Sequence, residues 1–265
     1  MSRLQNKSVL ITGASSGIGA FLAHELAQRG ARVGLLARRE DRLRELADEI
    51  REKHGKSEEE VAWAVADVTD ADQLWAALDQ VAGQLGGADV VVANAGFGRA
   101  EPPHKFKPGR ALNTYDVNLF GMLRTFDWAL PNMIERRAGQ LVGVASVASF
   151  IGFTDSAAYC GSKAAMRVHM QSLRLSLKPY NVAVTSICPG FVKSELTDIN
   201  KGAMPFMWET DRAARLIADA IEKRRGEVVF PWQMKLGIAI ATRLLPTPLL
   251  ERFLQRKKAP KPASA

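Results

Sequence analysis

The chain has 265 residues, 47% apolar and 24% charged, which is enough for one large α/β domain with a buried core. Its net charge of +8 lies wholly in residues 223–265, where ten Lys and Arg stand against two Glu. Residues 1–222 are therefore neutral, and this terminal placement without a recognition motif excludes nucleic-acid binding. Cys160 and Cys188 alone exclude a disulfide framework, and His24, His54, His104 and His169 have no metal-ligand spacing, so no metal is expected. Residues 1–7 lack the apolar core of a secretory signal, and no internal repeat or linker appears, so a cytoplasmic location is expected.

In chain order, strands are predicted near 7–12, 32–36, 61–66, 89–93, 140–146, 182–187 and 227–230. Helices are predicted near 18–29, 40–54, 71–84, 111–137, 157–178 and 210–224. This alternation predicts an α/β, doubly wound parallel sheet of about seven strands with helices on both faces. The first strand runs into Thr12-Gly13-Ala14-Ser15-Ser16-Gly17-Ile18-Gly19, and a helical pattern follows to Gly30. Strand, glycine turn and helix in this order form the dinucleotide site of a Rossmann fold. Backbone N–H groups approach the pyrophosphate at the helix N-terminus, here with G-x-x-x-G-x-G spacing. The second strand ends at Ala37, Arg38 and Arg39, where a carboxylate would bind ribose hydroxyls. Two guanidiniums and no acid favour a 2′-phosphate, hence NADP(H) over NAD(H), with Arg38 the stronger candidate because it lies nearer the strand end.

Leu141-Val142-Gly143-Val144-Ala145 reads as a buried strand, and Ser146 closes it, where open α/β sheets place ligand chemistry. Tyr159 and Lys163 are four residues apart and share a helix face. A neighbouring ammonium would favour the phenolate and lower a pKa otherwise near ~10, fitting Tyr159 for proton transfer.

With TGASSGIG at 12–19, ADV at 66–68, ANAG at 93–96, Asn118 in DVNLFG, Ser146, YCGSK at 159–163 and PGFVKSEL at 189–196, the chain resembles the single-domain short-chain dehydrogenase/reductase family over residues 9 to 196. The resemblance implies a catalytic set of Asn118, Ser146, Tyr159 and Lys163. Tyr159 would be the acid/base, Ser146 would hold the substrate oxygen, Lys163 would hold the nicotinamide ribose and Asn118 would anchor a water in a proton relay. It implies cofactor contacts from Gly13, Ser15, Ser16, Gly17, Ile18, Gly19, Asp67, Val68, Asn94, Ala95, Gly96, Pro189, Gly190, Val192 and Ser194. Ala93, Ala145 and Ser194 depart from the family's commoner residues without disturbing the chemistry. The long helix from Ala111 is expected to be kinked at Asn118.

By the same resemblance 191–208 is the substrate region, and Phe97, Phe150 and Phe153 border the same cleft as Phe191, Met204 and Phe206. Ile199, Met207 and Trp208 add to its apolar character, and Lys193 and Lys201 are single, solvated charges. Such a cleft suits an apolar ketone, aldehyde or secondary alcohol. The catalytic domain is expected to span 1–230, followed by an apolar and basic extension at 231–256 and a disordered tail at 257–265. The extension either packs on the body, a partner subunit or the cleft entrance, or lies on an anionic membrane; in the latter case the protein would be a membrane-associated lipid or sterol carbonyl reductase. A non-catalytic NADPH-binding regulator is the reading of another class, and the intact catalytic set disfavours it. Met122, Phe126 and Leu130, with Met166, Met170 and Leu173, form stripes expected to face away from the sheet and build a homodimer or homotetramer.

Overall fold

Seven apolar runs become the strands of one parallel sheet, in the order β3-β2-β1-β4-β5-β6-β7. The strands are β1 (Ser8–Thr12), β2 (Arg32–Ala37), β3 (Val61–Val65), β4 (Val90–Ala93), β5 (Gly139–Val144), β6 (Val182–Pro189) and β7 (Glu227–Phe230). The computed structural model describes residues 2–105, 107–198, 204–244 and 246–254. Every residue of β1, β4 and β5 is buried, because helices cover both faces of the sheet. Val9 and Ile11 enter one layer with Leu22 and Leu26 of α1 (Gly17–Gln28), Leu43 of α2 (Glu40–His54) and Ile217 of α8 (Thr210–Glu222). Leu10 points the other way, against Leu74 and Leu78 of α3 (Ala71–Leu85).

The chain order reverses between β1 and β4, and the loops after these two strands meet at the C-terminal edge of the sheet. The predicted long helix is divided in three. α4 (Pro108–Tyr115) begins with proline, a π-turn covers Asp116–Phe120, and α5 (Gly121–Glu135) continues. The Gly121 N–H donates to Asp116 O, five residues back, and this widened turn carries Asn118.

α6 (Ala157–Ser176) corrects one expectation. Met122, Phe126, Met166 and Met170 are 2%, 1%, 0% and 0% exposed and pack onto the sheet rather than away from it. A Cβ on Gly143 of β5 would strike Met170, and the glycine thus admits the sulfur into the layer. A helical stripe reports one apolar face, and this one belongs to the core. The outward faces carry Leu112, Phe120, Val168 and Leu175 instead, 47–73% exposed.

The extension folds as α9 (Trp232–Leu244) and α10 (Thr247–Leu254), beyond the short α7 (Glu195–Asp198) and α8. Met234 and Pro231 crowd Gly190, where a Cβ would lie 2.5 and 2.8 Å from their Sδ and Cδ. The Thr154 hydroxyl donates to Leu254 O at 3.0 Å. Residues 257–265 lie outside the described residues.

Candidate active site

Gly13 and Gly17 adopt φ of +67° and +55°, left-handed values that fold the loop after β1 back over the sheet edge. A Cβ on Gly13 would come within 2.7 Å of Ala95 Cα, and one on Gly19 within 2.6 Å of Asn94 Nδ2. The close approach is used: Asn94 Nδ2 donates to Thr12 O and Gly13 O at 3.0 Å each, and Thr12 Oγ1 accepts from the Asn94 and Ala95 amides. Gly96 follows at the cleft. Ser15, Ser16 and Ile18 complete the loop and its entry into α1. Beside it, Val68 is buried against Gly121, where a Cβ would meet its Cγ2 at 2.8 Å.

The two arginines after β2 diverge. Arg38 is 72% exposed and its Nη1 lies 3.6 Å from Asp67. Burial opposes the charge on Asp67, but hydrogen bonds from the Thr69 amide and hydroxyl, with Arg38, outweigh it and hold the carboxyl below its usual range. Arg39 lies across the glycine loop, donating to Ser15 Oγ at 3.1 and 3.2 Å and to Ser16 Oγ at 2.7 Å. It also pairs with Glu195 of α7 at 3.0 Å. Arg39, not Arg38, is thus the guanidinium that reaches the loop. Arg38 instead turns toward Asp67.

Ser146 follows β5 and caps a short turn, accepting from the Ala148 amide at 3.1 Å and lying 3.4 Å from Pro189 O. It lies close enough to Tyr159, in the first turn of α6, to favour the phenolate. One turn on, Lys163 is 3% exposed, donates to Val144 O at 2.8 Å, and sits 5.9 Å from the Tyr159 ring centroid. Asn118 is fully buried; it accepts from the Phe97 amide at 2.7 Å and donates to Phe97 O and Ser162 Oγ at 2.9 Å each. Ser162 Oγ donates in turn to Tyr159 O at 2.9 Å. Asn118 Oδ1 and Lys163 Nζ border one small space beside Gly96, 3.6 and 3.5 Å from where its Cβ would stand.

Burial drives both ionisable groups toward neutrality. It pushes the Tyr159 phenol up, with the Ser146 hydrogen bond opposing, and draws the Lys163 ammonium down to about 8. The expected lowering of Tyr159 by Lys163 is outweighed by burial of the phenol. Loss of water around the phenol dominates. Among the described residues, one acceptor serves the three N–H donors of Lys163. A buried ammonium with unspent donors, beside a glycine cradle, fits a ligand rich in hydroxyls and phosphates.

Two residues escaped the sequence reading. Ser162 joins Asn118 to the Tyr159 backbone, and Gly98 faces the Tyr159 ring, where a Cβ would approach Cδ2 to 2.7 Å. An i+3 hydroxyl after Tyr159 was the available signal for the first; nothing local marked the second.

The residues assigned to substrate follow β4, β5 and β6 or stand in 191–208. Phe97 lies near Arg99, and the Phe153 amide donates to Cys160 Sγ. Phe150 packs on the core beneath α6 with the Arg167 guanidinium 4.2 Å away. Phe191 pairs its carbonyl with the Trp208 amide, and Trp208 stacks between Phe230 and Arg212 on the core side. Val192 is 4% exposed and belongs to that core, while Ser194 bonds within its own turn through Val192 O and Thr197. Met204 is half-buried; Phe206 is 54% exposed. Ile199 and Lys201 lie outside the described residues.

The family model for short chain dehydrogenases matches residues 7–203. The chain belongs to the short-chain dehydrogenase/reductase family. An uncharacterised oxidoreductase of Myxococcus xanthus (strain DK1622) is 41% identical over 256 residues, covering 97% of this chain and 99% of that protein. Among solved structures, an alcohol dehydrogenase from the archaeon Thermococcus sibiricus, complexed with 5-hydroxy-NADP, superposes with TM-score 0.76 at 26% identity, covering 84% of this chain and 95% of that one. A variant of actinorhodin polyketide ketoreductase with NADPH gives 0.77 at 26% identity, over 87% and 97% of the two chains. The protein is thus an oxidoreductase of this family, on a fold that binds a nicotinamide cofactor. No helix among the described residues is long and apolar enough to cross a membrane.

Proposed function

We propose that this oxidoreductase transfers a hydride between NADP(H) and an apolar ketone, aldehyde or secondary alcohol, in a cytoplasmic catalytic unit of residues 1–230. The observation that carries the reading is the convergence of Ser146, Tyr159 and the buried Lys163 at the end of β5. The bound dinucleotide supplies or accepts the hydride. Ser146 holds the carbonyl oxygen beside the phenol. Tyr159, protonated at neutral pH, gives its proton to that oxygen as the carbon is reduced, and takes one back in oxidation. Lys163 turns its unspent donors to ribose hydroxyls, and a water beside Asn118 and Gly96 returns a proton toward Tyr159. Asn118 also keeps Phe97 and the first turn of α6 in register through Ser162.

The NADP(H) preference rests on Arg39 with Ser15 and Ser16, a set of donors for a 2′-phosphate, while Arg38 and Asp67 border the adenine side. The outward faces bearing Phe120, Val168 and Leu175 are the surfaces proposed to pair two copies. Oxidation of NADPH and of NADH, screened against ketones and aldehydes of graded chain length with Tyr159→Phe as control, tests the reading. Turnover with NADPH that the variant lacks supports it; turnover retained by Tyr159→Phe, or none with any carbonyl, defeats it.

A further inference from the structure

We propose that the extension formed by α9 and α10 docks this protein on an anionic lipid bilayer. Trp232, Leu236 and Ile240 stand at i, i+4 and i+8 on one face of α9, and are 66%, 51% and 46% exposed. Leu249 of α10 adds another exposed apolar side chain, at 54%. The opposite side of the extension is engaged with the body through Met234 against Gly190 and Leu254 against Thr154. The stripe is thus left uncovered by the described residues of its own chain.

Charge selects the occupant. Lys235 and Arg243 lie on or beside the stripe, Arg252 follows on α10, and α9 contains no acidic residue. Residues 255–265 add Arg256, Lys257, Lys258 and Lys261 to this charge. A symmetric pairing of two copies through this face would bring like charges together. An anionic bilayer satisfies both features: Trp and aliphatic side chains enter the interface, and Lys and Arg meet the headgroups. Neither helix is long enough to span, so the contact is peripheral. Because Met234 and Leu254 abut the two loops bordering the cleft, docking sets the cleft near the bilayer surface.

Co-sedimentation of the full-length protein with vesicles of phosphatidylglycerol and of phosphatidylcholine tests this without reference to activity. Binding is expected to phosphatidylglycerol, weakening as salt rises, and not to phosphatidylcholine. A triple variant, Trp232→Ser, Leu236→Ser and Ile240→Ser, should reduce partitioning on the order of tenfold or more. Lys235→Gln with Arg243→Gln should cost about fivefold per charge. The conservative pair Lys235→Arg with Arg243→Lys should keep the affinity, and an unchanged Tm should accompany each variant. No binding to phosphatidylglycerol, equal binding to both lipids, or binding indifferent to both sets of substitutions overturns the proposal. So does a wild-type oligomer that the triple variant splits into monomers, which would make the stripe a subunit interface.

Discussion

The cleft at the end of β5 and the extension beyond β7 are held in opposite ways. In the cleft, polar groups are sunk and chained together: Asn118 to Phe97 and Ser162, Ser162 to Tyr159, Lys163 to Val144. In the extension, apolar groups are left outside and one hydrogen bond, Thr154 to Leu254, fastens the far end. A buried polar network requires all its members, because an unpaired group in low dielectric is costly. An exposed apolar face makes no such demand on its own chain. The first arrangement suits chemistry, the second contact with something else.

The sharpest break of this comparison is Tyr159→Phe. It should lower kcat about 10²–10⁴-fold while NADPH affinity, measured by fluorescence titration, stays near wild type. A variant retaining a tenth of wild-type kcat would remove Tyr159 from the proposed role.

Core and extension should also differ in stability. Met170→Ala, in the layer beneath β5, should cost about 2–5 kcal/mol in denaturant unfolding. A smaller loss would mean that this layer closes easily over the gap.

Lys163 gives a signed pH effect. Its folded pKa, about 8, lies below the ordinary lysine value of 10.5, so the unfolded chain binds the extra proton between those values. Wild-type stability relative to Lys163→Met should therefore rise by about 1.4 kcal/mol per pH unit across that window, and stay level below it. Taking the difference between the two proteins cancels the opposite trend from Cys188, whose thiol burial pushes up to about 12. A flat difference across the window would mean that Lys163 is not held in a water-poor site.

Arg39→Ala should weaken NADPH binding by about 1.5–3 kcal/mol and leave NADH binding nearly unchanged, with Arg38→Ala the milder change. Equal effects of the two variants would contradict the contrast between their side chains. The smallest effect belongs to the extension: Leu236→Ser should move stability by no more than about 0.5 kcal/mol. A larger loss would show that the exposed stripe is covered in solution.

Local spacing was enough for the strands, most of the helices, the glycine loop and the pairing of Tyr159 with Lys163, while the resemblance added Asn118 and the grouping with Ser146. Period, glycine placement and i+4 neighbours are properties of the chain itself. The strand-by-strand agreement follows from that, as does the disturbance at Asn118, which the resemblance supplied and the π-turn bears out. Three matters lay beyond the sequence. The methionine stripes of α5 and α6 turned inward, because periodicity marks an apolar face without naming what covers it. That Arg39 bonds the serines of the glycine loop while Arg38 faces Asp67 depends on how α2 leaves the strand, which side-chain reach makes a tertiary matter. The phenol of Tyr159 moved up rather than down, because its proton affinity is set by the water removed around it, and only tertiary packing removes water.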